Sequence, residues 1–274
     1  MFFSSGRESD TMSQIEGRRL LDKVCVVSGA GSGIGKATAL LFARHGAHVV
    51  CADVNEDTAK QTAAEVEALG RRALAVRVDV SKSDEVDRLV EKTHEKFPQV
   101  DVLFNNAGIG NSSVKGFLSV TEEEWDRIFA VNVKGVFLMT KAFVKKMRRN
   151  KTATKDGIRG KIINNASARG KLGKPQLAPY SASKAAVIRF TQAIAADLGN
   201  RRITINAVCP GTIYTNIWGN ATPEQVAGFG GEVALFRKVG FPEDVARVVL
   251  FLASSDSDFM TGQAINVCGG QVFH

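Results

Sequence analysis

The stretch Lys23-Val-Cys-Val-Val-Ser-Gly29-Ala-Gly-Ser-Gly-Ile-Gly35 decides the fold. A β-branched run leads into a glycine loop; Lys36 to His45 then has helical composition and stops at Gly46. Strand, glycine loop and helix in this order open a βαβ unit. Glycines let a backbone come close to a phosphate, and the helix N-terminus behind them offers unpaired N–H donors and the positive end of a dipole. The spacing Gly29-x-x-x-Gly33-x-Gly35 is not GxGxxG, and a loop of this kind can also be a plain tight turn. Its strand–helix setting favours a dinucleotide.

The next strand, His48-Val-Val-Cys-Ala-Asp53, ends in an acid 18 residues past Gly35. A carboxylate there can accept from both adenosine ribose hydroxyls, and its charge repels a 2′-phosphate, which favours NAD (NADH) over NADP. No Arg or Lys occupies Ala30 to Gly33 to attract that phosphate. The plainer reading is a cap on the following helix, a job open to Asp53 or Asn55.

Outward from this unit the alternation continues. Helices are expected over Asn55 to Leu69, Ser83 to Lys96, Thr121 to about Arg149 and Phe241 to Ala253. Strands are expected over Arg72 to Val80, Val100 to Phe104, Lys161 to Asn165, Ile203 to Cys209 and Gln263 to Val267. Such alternation implies an α/β fold, a doubly wound, mostly parallel sheet with helices on both faces. Thr121-Glu-Glu-Glu124 reads as a capping box. Asn132 lies mid-helix on an apolar face, either as a core amide satisfied by backbone or as the holder of a fixed water.

Tyr180-Ser-Ala-Ser-Lys184 opens an alanine-rich run expected to be a helix ending at Gly199. Residues four apart share a helix face, so the Tyr180 phenol and the Lys184 ammonium can meet. A nearby cation favours phenolate and suits proton transfer to or from an alcohol oxygen. Ser167, after the strand at Lys161, can donate to the same oxygen. Taken alone, the pair also fits an ordinary helix with a partly buried tyrosine and a surface lysine.

The 274 residues, 44% apolar and 23% charged, suit one globular domain over 20–274. Residues 1–19 read as a disordered extension without a secretory core, and 214–239, glycine-rich and aperiodic, sit within an expected substrate lid at about 212–240. No apolar run reaches the ~18 residues of a membrane helix, so no membrane is expected. Cys25, Cys51, Cys209 and Cys268 have no CxxC spacing and read as reduced core thiols of a cytoplasmic protein; no metal site is expected. The net charge is +8, and the basic residues are spread out except from Lys145 to Lys151 and on to Lys155, Arg159 and Lys161, a solvated helix end and loop rather than a nucleic-acid surface.

Over about residues 20 to 270 the chain resembles the short-chain dehydrogenase/reductase family. The resemblance rests on Ser28-Gly-x-x-x-Gly-x-Gly35, Asp53, Asp79-Val80, Asn105-Asn-Ala-Gly108, Asn132, Ser167, Tyr180-x-x-x-Lys184, Pro210-Gly211 and Thr215. It implies a Rossmann-type sheet of seven strands, order 3-2-1-4-5-6-7, and hydride transfer between nicotinamide and a small secondary alcohol or ketone. On that likeness Tyr180 is the acid/base, Lys184 lowers its pKa and holds the nicotinamide ribose, Ser167 polarises the substrate oxygen and Asn132 holds a relay water. Gly29, Ser32, Gly33, Ile34 and Gly35 face the pyrophosphate, and Asp79 and Val80 the adenine. Asn106, Ala107 and Gly108 lie on the ribose side, and Pro210, Gly211, Ile213 and Thr215 at the carboxamide end. The likeness also implies a homotetramer joined through the helices that start near Thr121 and Tyr180.

The chain departs from the family pattern at Ser28 (usually threonine), Ala166 (often serine) and Cys268 (often aspartate), the last leaving C-terminal packing open. By position, Arg169, Gln176, Leu177, Tyr214, Ile217 and Trp218 line the substrate pocket, and Arg169 or Lys171 can meet an anionic group. An NADPH-dependent 3-oxoacyl-thioester reductase is the alternative enzyme, and a non-catalytic dinucleotide sensor the alternative outside enzymes.

Overall fold

The computed structural model describes residues 18–110, 116–152, 154–155, 157–215, 219, 221–230 and 239–274. The expected extension up to residue 17, the pocket candidates Ile217 and Trp218, and much of the expected lid lie outside the described residues.

Strand β1 (Val24–Ser28) is buried along its whole length, which its β-branched residues tolerate because helices cover both faces. Helix α1 (Gly33–Arg44) returns the chain to β2 (His48–Asp53). Helix α2 (Glu56–Ala68) leads to β3 (Ala73–Arg77), and α3 (Ser83–Lys96) to β4 (Val102–Asn105). After α4 (Glu122–Phe129) and α5 (Val136–Met147) come β5 (Gly160–Asn165), α6 (Ala178–Gly199) and β6 (Ile203–Pro210). The short α7 (Pro223–Gly230), α8 (Pro242–Ala253) and β7 (Ala264–Val267) complete the described elements.

The strands form one parallel sheet in the order β3-β2-β1-β4-β5-β6-β7. Val24 lies opposite His48 on one side of β1, and Cys25 opposite Val102 on the other. Phe42, Val249 and Leu250 pack α1 and α8 on one face; Leu89, Phe143, Met147 and Leu198 pack α3, α5 and α6 on the other. The strand order reverses between β1 and β4, β2 and β3 being added on one side and β5 to β7 on the other, so the loops after β1 and β4 part and leave a crevice at the carboxyl ends of the strands.

Three elements differ from the sequence reading. Strand β3 stops at Arg77 because Asp79 turns the chain: its Oδ1 accepts from the Ser81 N–H at 2.9 Å and the Ser81 hydroxyl at 2.7 Å. The helix expected from Thr121 to Arg149 is interrupted by a π turn at Ala130–Gly135. Asn132 ties that turn to the Ile109 backbone, and Gly135 admits Val80, whose Cγ2 would lie 2.7 Å from any added Cβ. Inside the aperiodic 214–239 stretch, α7 starts from a reciprocal cap: Gln225 Oε1 accepts from Thr222 N–H at 2.8 Å, and Thr222 Oγ1 from Gln225 N–H at 3.3 Å.

Candidate active site

The glycine turn after β1 is set by contacts too close for any side chain. Gly29 has φ +65° and Gly33 φ +50°, a left-handed backbone that glycine adopts without strain. A Cβ on Gly35 would lie 1.9 Å from the Gly29 carbonyl oxygen, and one on Gly31 2.1 Å from Thr58 Oγ1. Ser32, the N-cap residue of α1, makes no side-chain cap, and no acid occupies the first turn. The first N–H groups of α1 therefore have neither a capping side chain nor an acidic neighbour, as an anion site needs. Asp53 holds the turn from the side: its Oδ2 accepts from Gly31 N–H at 2.8 Å and its Oδ1 from Asn55 N–H at 3.0 Å. Asn55, not Asp53, caps α2, accepting from the Asp57 and Thr58 N–H groups. Each carboxylate oxygen of Asp53 keeps a lone pair for a further donor. A cradle that a Cβ would fill, beside an uncapped helix start and a carboxylate, fits the pyrophosphate and adenosine ribose of a dinucleotide.

Across the crevice, Ser28 Oγ accepts from the Asn106 and Ala107 N–H groups at 3.0 and 3.1 Å, so serine in place of threonine keeps the hydroxyl contact. Asn106 Nδ2 donates back to the Ser28 and Gly29 carbonyls at 3.0 and 3.1 Å. Thr215 stands over Gly33, its Cγ2 3.4 Å from where a Cβ would be. Gly211 is closed in by the C-terminal strap, with Gln271 Oε1 2.4 Å and Cys268 Cα 2.7 Å from an added Cβ. Gln271 also brackets Thr212, accepting from its N–H at 3.1 Å and donating to its hydroxyl at 3.0 Å. Cys268 itself is buried, and its thiol meets the Val272 carbonyl at 3.5 Å, which settles the C-terminal packing. Ile213 bridges to Gly240, and the Tyr214 ring meets Phe241 edge-on at 6.3 Å.

Helix α6 carries Tyr180 and Lys184 on one face, with the Lys184 ammonium 5.7 Å from the Tyr180 ring centre. Lys184 is 4% exposed, and its Nζ donates to the Asn165 carbonyl at 2.7 Å. Gly108 leaves the space for it: a Cβ there would lie 3.3 Å from Lys184 Nζ and 3.2 Å from Asn132 Oδ1. The Asn132 amide is held in place, accepting from Ile109 N–H at 2.8 Å and donating to Ile109 O at 2.9 Å and Ser183 Oγ at 3.0 Å. Ser167 starts a 3₁₀ turn, accepting from Arg169 N–H at 3.1 Å and donating to the Pro210 carbonyl at 3.5 Å, and its hydroxyl pulls the Tyr180 phenol toward ionisation.

Burial dominates the electrostatics of both groups. Burial pushes the Tyr180 phenol above its ordinary pKa, against the opposing pull of the Ser167 hydrogen bond and the Arg169 charge. Burial drives the Lys184 ammonium down to about 8, so this cation is itself close to losing its proton. At Asp79, burial raises the carboxyl, but the Ser81 hydrogen bonds with Lys82 and Arg77 outweigh it and hold the acid below its usual range.

Two expected cations lie elsewhere. Lys171 donates to the Ala264 carbonyl at 2.7 Å. Lys161 is no part of the basic tract: it is buried, with Nζ 2.7 Å from Asp258 and donating to Ser257 at 3.1 Å. Gln176 sits in a left-handed turn, φ +70°, in the loop between Ser167 and α6. The sequence reading passed over Ser183, Gln271 and Asn165; an asparagine pair ending an apolar strand was the available signal for the last. The four thiols are buried and unbridged, and among the described residues no group of three His, Cys, Asp or Glu can hold a metal. No described helix is long and apolar enough to cross a membrane.

Comparison with known proteins places this geometry. Residues 29–271 match a family model described as enoyl-(acyl carrier protein) reductase. The chain is 40% identical to a 3-oxoacyl-acyl-carrier-protein reductase of Thermotoga maritima over 93% of its own length and 99% of the relative's. It is also 40% identical to the (2S)-[(R)-hydroxy(phenyl)methyl]succinyl-CoA dehydrogenase subunit BbsD of Thauera aromatica, over 91% of this chain and 96% of that one. Among solved structures, a 7α-hydroxysteroid dehydrogenase complexed with NADH and 7-oxo glycochenodeoxycholic acid superposes with a TM-score of 0.84 at 32% identity, covering 94% of this chain and 98% of the other.

Proposed function

The chain belongs to the short-chain dehydrogenase/reductase family of oxidoreductases, and from that premise we propose that it interconverts a secondary alcohol and a ketone with NAD as its preferred cofactor. The observation that carries this reading is the face of α6 that sets the buried Lys184 ammonium 5.7 Å from the ring of Tyr180. The nicotinamide, when bound, supplies the acceptor or donor of the hydride. Tyr180 takes the proton from the alcohol oxygen in oxidation and returns it in reduction. Ser167 donates a hydrogen bond to that oxygen. Lys184 holds positive charge beside the phenolate, and Arg169 offsets part of the phenol's burial. Asn132, fixed by the Ile109 backbone in a π turn, holds the relay water.

Gly29, Ser32, Gly33, Ile34 and Gly35 serve the pyrophosphate in this reading. Asp79 and Val80 serve the adenine, Asn106, Ala107 and Gly108 the nicotinamide ribose side, and Pro210, Gly211, Ile213 and Thr215 the carboxamide. Asp53 favours NAD because a 2′-phosphate would meet its charge in a loop where Ala30 to Gly33 hold no cation. Arg169, Gln176 and Tyr214 remain the described pocket candidates. The domain spans 20–274, with a lid at about 212–240. Trp125 and Phe137, 39% and 42% exposed on α4 and α5, support a homotetramer, and four buried thiols suit a cytoplasmic setting.

A second reading is reduction of 3-oxoacyl thioesters with NADPH; the name of the Thermotoga relative, a 3-oxoacyl-acyl-carrier-protein reductase, favours its thioester substrate. Titrating the purified protein with NADH and NADPH, followed by fluorescence, separates the two. Markedly tighter NADH is expected; a preference for NADPH would overturn the Asp53 argument and promote the thioester reading. Light scattering on the same preparation checks for four chains.

A further inference from the structure

Strand β5 ends in two asparagines, and successive strand residues face opposite sides of the sheet. Asn164 serves the core: its Oδ1 accepts from Asn105 Nδ2 at 2.9 Å, and its Nδ2 donates to Thr191 Oγ1 at 2.9 Å. Asn165 faces the side of the glycine turn. Its Nδ2 donates to Asn106 Oδ1 at 2.9 Å, and its main-chain carbonyl is the acceptor for Lys184 Nζ.

The orientation of these amides follows from their partners. Asn106 Nδ2 points at two backbone carbonyls, Ser28 and Gly29, which can only accept. Asn106 therefore turns its oxygen toward Asn165, and Asn165 must answer with its N–H. That leaves Asn165 Oδ1 buried and without a hydrogen-bond partner among the described residues. A buried acceptor without a donor is costly, and an apolar side chain of similar size would avoid the cost.

The position says which donor is missing. Along the carboxyl edge of the sheet, Asp53 ends β2, the glycine turn follows β1, Asn106 follows β4 and Asn165 ends β5. A dinucleotide with its adenosine ribose at Asp53 and its pyrophosphate over the glycine turn brings its nicotinamide half toward Asn106 and Asn165. That half carries ribose hydroxyls and a carboxamide N–H₂, all donors.

We infer that Asn165 is a positioning residue of this site: its side-chain oxygen accepts a hydroxyl or amide N–H from the nicotinamide half, while its N–H and main-chain carbonyl hold Asn106 and Lys184 on either side. The inference rests on the oxidoreductase reading above and adds a residue that the sequence motifs pass over.

The test compares Asn165→Leu with the unaltered protein for binding of two ligands, each measured by calorimetry without turnover. The first is whichever of NADH and NADPH the unaltered protein binds better; the second is ADP, which lacks the nicotinamide half. Loss of one satisfied hydrogen bond weakens the dinucleotide by about tenfold and leaves ADP within about twofold. Equal losses for both ligands would mean that Asn165 acts only through the glycine turn, and no loss for either would mean that its oxygen meets no ligand; each overturns the inference. If the unaltered protein bound neither dinucleotide, the oxidoreductase reading itself would fall. Asn165→Ala gives the same comparison should the leucine variant not fold.

Discussion

The two halves of the crevice are built by different means. On the β1–β2 side the shape is made by backbone: glycines at 29, 31, 33 and 35, the Asp53 carboxylate on a main-chain N–H, and Thr62 Oγ1 donating to the Ala30 carbonyl at 3.0 Å. On the β5–α6 side it is made by side chains from distant segments. Asn132 reaches Ser183 across 51 positions, and Asn165 reaches Asn106 across 59. A backbone cradle tolerates no added atom but holds its shape locally. A side-chain constellation can lose one member and keep its fold, so its functions separate under mutation. In the function proposed above, the first half holds the dinucleotide and the second carries the chemistry.

Three substitutions probe that division, taken from the largest effect down. Tyr180→Phe removes one oxygen from the side-chain half. Turnover should fall at least ~10² while NADH affinity stays within a fewfold. Near-normal turnover in a steady-state assay would end the acid/base assignment.

Gly35→Ala strikes the backbone half. Its Cβ would sit 1.9 Å from the Gly29 carbonyl, so the turn has to move and both folding and dinucleotide binding should suffer together. A loss of about 1–3 kcal/mol is the scale for forcing a group into a filled site. Calorimetric unfolding alongside a titration checks it; an unchanged melting temperature with unchanged binding would show a softer turn than described.

Lys184→Met tests the smallest effect, on pH dependence. The folded chain binds this proton with a pKa of about 8, against 10.5 for a free lysine. Between those values the unfolded chain keeps the proton that the folded chain has lost, so raising the pH favours the folded state across that window. Below about pH 8 both states are charged and this contribution no longer varies. Denaturant unfolding of the cofactor-free protein between pH 7 and 10.5 should show a stability slope that is shallower in Lys184→Met. Parallel slopes would mean that Lys184 is better solvated than its burial implies.

Much of the scaffold was legible because its signals are local. The strand at His48 to Asp53 and the helix at Ser83 to Lys96 fall where their composition put them. The misses came where a distant group intervenes. The helix from Thr121 carries good helix formers throughout, yet Ile109 draws Asn132 into a π turn that no periodicity betrays. Lys161 reads as one more surface cation, but the sheet carries it to Asp258, 97 residues on. Lys171 lies beside the active loop in sequence and binds Ala264 in space.

The same contrast runs through the site. Spacing alone brought Tyr180 and Lys184 to one helix face, and a glycine turn to a helix start, because helix geometry and left-handed φ are properties of neighbours. That the phenol's pKa rises while the lysine's falls to about 8 could not be read that way. Neither could the unpartnered oxygen of Asn165. Burial and hydrogen-bond satisfaction are sums over everything that packs around a group, and only the folded chain decides what that is.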